Sequence, residues 1–154
     1  EAVTMMNRII EGTEADSQYR QLIEASHAAA DASAQDVTQA VCCAMRRATA
    51  LIKARAIVCF TSSGHTALRA ARERANAPIL GVSPHVGVAR KLALAWGVHS
   101  VHLTDNLNLE QIGPVGARVA REQGFAEPGD PIVILAGMPF GESGTTNLMH
   151  VAIA

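Results

Sequence analysis

Pro131-Ile-Val-Ile-Leu-Ala136, followed by Gly137-Met-Pro-Phe-Gly-Glu-Ser-Gly-Thr-Thr-Asn147 and then Leu148-Met-His-Val-Ala-Ile-Ala154, is the run whose reading decides the fold. Its two flanks are short and apolar, and each reads as a buried strand. The middle is rich in glycine, serine and threonine. Only about ten residues join the flanks, fewer than a crossover helix needs, so the two strands are expected to be antiparallel neighbours. A loop of this composition offers hydroxyls and unshielded amides, groups better suited to a phosphate or another oxyanion than to a core.

Working outward, short apolar runs alternate with helical patterns. Ala56-Ile-Val-Cys-Phe60 reads as a first strand, Thr61-Ser-Ser-Gly64 as a turn, and His65 to Ala75 as a helix. Pro78-Ile-Leu-Gly-Val82 is a second strand, followed by a helix from His85 to Trp96. Val98 to Leu103 is a third strand, and Leu109 to Gln123 a helix stopped by Gly124. Upstream, Asp36 has the chemistry of an N-cap with Gln39 three residues on, and Val37, Ala40, Val41, Ala44, Met45, Ala48, Leu51 and Ile52 form one apolar stripe. Val3, Met6 and Ile10, and then Tyr19, Leu22 and Ile23, recur at helical spacing, with an interruption expected between Gly12 and Asp16. The Ala/Ser-rich stretch from Ala25 to Gln35 reads as a helix end and connector.

Strands alternating with helices indicate an α/β fold with three layers, α/β/α, around a five-stranded mixed sheet. Right-handed crossovers favour the order 3-2-1-4-5, with the last strand antiparallel and at an edge. The first and fourth strands then lie side by side, and a crevice opens beyond their carboxyl ends. Both hydroxyl-rich loops, Thr61 to Thr66 and Met138 to Thr146, are expected at that crevice.

The 154 residues suffice for one domain with a real core. Aromatics make up only 3%, so Ala, Val, Ile and Leu must fill the interior. The formal net charge is -1 with no basic stripe, which argues against nucleic acid as a partner. No apolar stretch approaches the roughly 18 residues of a membrane span, and no signal peptide is visible. Cys42, Cys43 and Cys59 lack a C-x-x-C spacing and read as free thiols in a reducing cytoplasm. Glu1 begins within an amphipathic pattern without an initiator Met, as expected of a piece of a longer protein.

In the first loop, amides at the start of a helix favour an anion, and Ser62, Ser63 and Thr66 add hydroxyls. Gly64 lets a ligand approach the backbone, and His65 can add charge. The bland alternative is a serine that merely caps the helix. The second loop lacks the Gly-Lys-Ser/Thr ending of a P-loop, so nucleotide hydrolysis is not expected. His99 and His102 are three apart on a strand and point to opposite faces. Asp105 stands without a matching carboxylate, and His27, His85 and His150 are scattered. No Ser-His-Asp or Cys-His arrangement is present, so no active site and no metal site are expected in the chain.

Several of these segments together resemble one family. Gly137-Met-Pro-Phe-Gly-Glu-Ser-Gly-Thr-Thr-Asn147 resembles the carboxyl-terminal loop and strand of pyruvate kinase. So do Ala77-Pro-Ile-Leu-Gly-Val-Ser-Pro84 and Val88-Ala-Arg-Lys-Leu-Ala-Leu-Ala-Trp-Gly-Val98, and Thr61-Ser-Ser-Gly-His-Thr-Ala67 is similar to that family's phosphate loop. Glu1-Ala-Val, Met6 and Arg8-Ile9 resemble its last barrel helix.

The resemblance implies residues 1–30 as a helical lead-in and linker, and 31–154 as an α/β effector-binding and assembly domain. It implies a cytoplasmic homo-oligomeric parent that transfers phosphate from phosphoenolpyruvate to ADP in glycolysis. The Mg²⁺ and K⁺ would sit in a barrel domain upstream of Glu1, with no cofactor in this chain. Carried over by position, Thr61, Ser62, Ser63, Gly64, His65 and Thr66 would cradle an effector phosphate, and Gly141, Glu142, Ser143, Gly144, Thr145 and Thr146 would close over the sugar or a second phosphate. Members that take fructose 1,6-bisphosphate often carry Lys or Arg where this chain has Ser62 and His65. Some also bring Arg or Trp from the segment that corresponds to Asp105–Gly113, which has neither. A sugar monophosphate or AMP is therefore the expected effector. A structural subunit-interface module without a ligand is the alternative.

Overall fold

The computed structural model describes residues 1–31, 36–104, 107–140 and 144–154, with the backbone alone for 28–31. They divide into two compact units, Glu1–Ala34 and Gln35–Ala154.

The first unit holds helices α1 (Ala2–Ala15) and α2 (Ser17–Asp31). The expected interruption falls on Asp16, whose backbone is extended at φ -70°, ψ 133°. Its amide bonds back to the Thr13 carbonyl, and its carboxylate accepts from the Gln18 amide at 2.7 Å. One residue thus closes a helix and caps the next. The Ala25–Gln35 stretch contains the end of α2. It is helical as far as Asp31, as the high helix propensity of alanine favours, and residues 32–35 lie outside the described residues.

The second unit runs α3 (Val37–Ile52), β1 (Ala56–Phe60), α4 (His65–Arg72), β2 (Ile79–Ser83), α5 (Val86–Leu92), β3 (Val98–His102), α6 (Ile112–Glu122), β4 (Pro131–Ala136) and β5 (Leu148–Ile153). The sheet order is β3-β2-β1-β4-β5, as the crossover argument requires. The first four strands are parallel, and β5 runs antiparallel to β4, with Pro131 opposite Ile153 and Ala136 opposite Leu148.

Strand alternation builds the three layers. Ala56, Val58, Phe60, Leu80, Val82, Ile132 and Ile134 pack against Ile112, Ala117, Val119 and Ala120 of α6. Ile57, Cys59, Ile79, Val133 and Leu135 face the opposite layer, Cys42 and Met45 of α3, Ala67, Ala70 and Ala71 of α4, and Leu92 of α5. Each large aliphatic side chain so buried contributes about 1.5–3 kcal/mol. With so few aromatics, close approach replaces bulk. A Cβ on Gly116 would lie 2.8 Å from Ile134 Cδ1, and one on Gly81 would lie 2.9 Å from Leu92 Cδ1.

Three helices are shorter than the sequence pattern indicates. α4 ends at Arg72 rather than Ala75, and Arg74 takes φ 47° with its guanidinium 3.9 Å over the Trp96 ring. α5 ends at Leu92 rather than Trp96, because the chain tightens into i to i+3 turns at Leu94 and Ala95. α6 begins at Ile112 rather than Leu109, after a turn closed by a reciprocal box. In that box the Gln111 amide donates to Asn108 Oδ1 at 2.9 Å, and the Asn108 amide donates to Gln111 Oε1 at 3.1 Å.

Asp36 caps α3 as expected, its carboxylate accepting from the Gln39 amide at 2.7 Å. The Gln39 side chain does not return to complete a capping box. It reaches Glu73 Oε1 at 2.9 Å, where Arg46 Nε also meets Glu73 Oε2 at 3.1 Å. This polar knot ties α3 to the end of α4.

Candidate functional site

The carboxyl ends of β1, β2 and β3 open into a cavity of about 310 Å³, within the usual size of ligand pockets. Each strand delivers the chain that follows it. From β1 come Phe60, Thr61, Ser62, Ser63 and, on the first turn of α4, Thr66. From β2 come Val82, Pro84 and His85, and after β3 come Leu103 and Leu107. The loop between β4 and β5 supplies Gly137, Phe140, Gly144 and Thr145. The two hydroxyl-rich loops therefore meet at one end of the sheet.

The first loop turns because Thr61, at the end of β1, accepts the Gly64 amide on its hydroxyl at 2.9 Å. Gly64 then takes φ +89°, a conformation that side-chain-bearing residues rarely adopt, and α4 begins. The hydroxyl that closes this turn is thus Thr61, not Ser62 or Ser63. Those two serines line the cavity.

The second loop is closed at its base by Asn147. Its Oδ1 accepts from the Met138 amide at 2.8 Å, and its Nδ2 donates to the Met138 carbonyl at 2.7 Å. Asn147 N also reaches the Ala136 carbonyl at 3.2 Å, continuing the ladder by one rung. Gly137 is packed so tightly that a Cβ would run into the Thr145 carbonyl.

A buried hydroxyl contact fastens the two loops together. Thr66 Oγ1 and Thr146 Oγ1 lie 2.8 Å apart, with 3% and 1% of these residues exposed. The Thr146 amide donates to Thr38 Oγ1 on α3 at 3.3 Å.

Of the residues singled out in the sequence, Thr61, Ser62, Ser63, Thr66, Gly144 and Thr145 line the cavity. Gly64 shapes the turn and Thr146 is engaged behind it. His65 lies off the cavity lining, with its Nε2 3.4 Å from Arg69 Nε. Gly141, Glu142 and Ser143 lie outside the described residues, as does Asp105.

Sequence reasoning missed the side of the cavity supplied by β2 and after β3. His85 was read there as scattered, yet it is the one ionisable residue in the described lining. Its position directly after the end of a central parallel strand was the available signal. No Lys or Arg is among the described lining residues. Its inner wall is apolar, formed by Phe60, Val82, Leu103, Leu107 and Phe140.

His99 and His102 go separate ways, to Gln123 Oε1 at 2.8 Å and to the Pro84 carbonyl at 3.1 Å. Among the described residues no group of three or more His, Cys, Asp or Glu is placed to hold a metal ion. No helix is long and apolar enough to cross a membrane among those residues.

Residues 39–152 match the family described as the pyruvate kinase alpha/beta domain. Curated relatives extend the match. A pyruvate kinase of Methylorubrum extorquens is 36% identical over 152 residues, covering 99% of this chain and 31% of that protein. A pyruvate kinase of Agrobacterium vitis is 39% identical over 151 residues, covering 98% and 31%. One from Geobacillus stearothermophilus is 33% identical over 153 residues, covering 99% and 26%. The chain thus spans about a third or less of the length of these relatives.

Proposed function

We propose a function from one premise, that this chain belongs to the family of the pyruvate kinase alpha/beta (carboxyl-terminal) domain. It acts as the regulatory and assembly domain of a cytoplasmic glycolytic enzyme. The larger remainder of that enzyme, a barrel domain, transfers phosphate from phosphoenolpyruvate to ADP and holds the Mg²⁺ and K⁺ that the reaction uses. The chain by itself is catalytically inert. Its cavity takes a phosphorylated small molecule, with the phosphate against residues 61–66 and with 141–146 closing over the sugar or a second phosphate. In the oligomer, occupancy shifts the balance between states of different substrate affinity.

The observation that supports this reading is the meeting of the two hydroxyl-rich loops, fastened by the 2.8 Å contact between Thr66 and Thr146. Helix-start amides and the hydroxyls of Ser62 and Ser63 suit a phosphate. The described lining carries no Lys or Arg. A phosphomonoester brings about 1.5–2 negative charges at neutral pH and a bisphosphate about twice that. Hydroxyls and amides suit the smaller charge, which favours a sugar monophosphate or AMP over fructose 1,6-bisphosphate.

The test is a titration of the 154-residue chain with AMP, ribose 5-phosphate and fructose 1,6-bisphosphate, following backbone amide resonances. Shifts centred on Ser62, Ser63, Gly144 and Thr145 with a monophosphate are expected. Shifts confined elsewhere move the site out of the cavity. Measurable phosphoryl transfer by this chain would refute its inertness.

A second reading, a structural interface module without a ligand, is favoured by the edge strand. Along β5, Met149, Val151 and Ile153 are 37%, 45% and 61% exposed on one face. Edge strands with apolar faces invite pairing. A dimer in light scattering combined with a silent titration selects it.

A further inference from the structure

We propose that Thr146 is a positioning residue, the joint through which the cavity holds the start of α3. This rests on the reading of the cavity as a phosphate-ester site.

The geometry is specific. Thr146 directly follows Gly144 and Thr145, which line the cavity, yet only 1% of it is exposed. Its two polar groups go to different helices. The hydroxyl meets Thr66 of α4 at 2.8 Å, and the amide donates to Thr38 of α3 at 3.3 Å. Thr66 and Thr38 are themselves 3% and 8% exposed, so water does not replace either bond. Three threonines from distant parts of the chain form one buried polar line, with a residue facing the ligand space at one end and the first turn of α3 at the other.

That first turn is also held from outside the cavity, where the Gln39 side chain donates to Glu73 Oε1 at 2.9 Å. Asp36 caps it through the Gln39 amide at 2.7 Å and the Ala40 amide at 3.1 Å. The Asp36 carboxylate also lies 3.5 Å from Arg69 of α4, a partly exposed pair of the kind that contributes little. Thr38 adds a tether that reaches the cavity loop. A ligand that pulls Thr66 or Thr145 therefore pulls Thr146, and Thr146 pulls α3. Val is nearly isosteric with Thr but breaks the line, while Ser keeps it.

Two arms test this in the 154-residue chain, both read by amide hydrogen exchange at Gln39 and Ala40. Without ligand, Thr66→Val is expected to speed exchange there by about fivefold, and to have no such effect in a Thr38→Val background. Equal acceleration in both backgrounds, or none in either, overturns the joint. With saturating ribose 5-phosphate, exchange at these amides is expected to slow in the wild type and in Thr146→Ser, but not in Thr38→Val. Ser62 and Ser63 should still report binding in that variant. Slowing that survives Thr38→Val also overturns the joint. If Ser62 and Ser63 never respond to the ester in the wild type, the effector reading fails, and the ligand-free arm decides the joint by itself.

Discussion

Glu73 and Arg46 form an ion pair with a nitrogen to oxygen distance of 3.1 Å while the Glu73 side chain is only 3% exposed. Gln39 donates to the other carboxylate oxygen at 2.9 Å. A carboxylate this deep is tolerable only with its partners in place. Arg46→Met is therefore expected to destabilise the chain by about 3–5 kcal/mol, because the charge stays behind without its main partner. Arg46→Met with Glu73→Leu should recover most of that loss. Urea unfolding of the two variants checks both values.

The buried thiols should resist alkylation. Burial, then the nearby Glu73 charge, pushes the Cys42 thiol up from 9.0 to about 12. Complete burial pushes Cys59 further in the same direction. Reagents that need the thiolate should leave both unmodified at pH 8 until the chain unfolds. The sign for stability follows from which state loses its proton first. Unfolded thiols ionise near 9 while the folded ones stay neutral, so the contribution is full below pH 9 and falls as pH climbs toward 12. The slope is at most about 1.4 kcal/mol per pH unit for each thiol. Unfolding curves at pH 8 and pH 10 should show the drop, and Cys42→Ala should lessen it.

Gly137→Ala should lower Tm by several degrees, since the new methyl group meets the Thr145 carbonyl and the strain is worth about 1–3 kcal/mol. Gly12→Ala is the matched control. Nothing lies within 4 Å of its Cβ position inside α1, so the change should be neutral or stabilising by up to about 1 kcal/mol. Calorimetry of the two variants separates crowding from propensity.

Asn147→Ala removes both bonds to Met138 at the base of the second loop. Because the pair is exposed, water compensates in part, and the expected loss is about 1 kcal/mol. The local effect should be larger. The Met138 amide is expected to exchange at least tenfold faster while amides of β1 and β4 stay unchanged. Uniform acceleration across the sheet would mean that Asn147 supports the whole fold rather than the loop.

The topology was legible because its signals are local and periodic. Short apolar runs such as Ala56–Phe60 and Pro131–Ala136 have one reading between helical stretches, and the handedness of crossovers leaves few orders for them. Helix ends were less legible. The alanines at 28–30 carry no stop signal, so the length of α2 had to come from propensity. The extent of α5 depends on turns after Leu92 whose sequence, Ala-Leu-Ala-Trp, is itself helix-compatible. At the cavity, hydroxyl-rich loops announce themselves by composition. Leu103, Leu107 and Phe140 look like any core residue, and only the strand order brings them together. The Thr38–Thr146 bond spans 108 positions, a separation that periodicity cannot encode.

The reversed direction of β5 has a practical side. Its last rung faces Pro131, and beyond it Ala154 exchanges bonds with the turn that leads into β4, at the end of the sheet away from the cavity, accepting from Gly129 at 2.7 Å and donating to Asp130 at 2.8 Å. Any fluorophore or affinity handle fused behind Ala154 therefore departs from the pole opposite the mouth. Such a reporter would leave the entrance unobstructed, whereas an insertion between Gly144 and Thr145 would stand in the doorway.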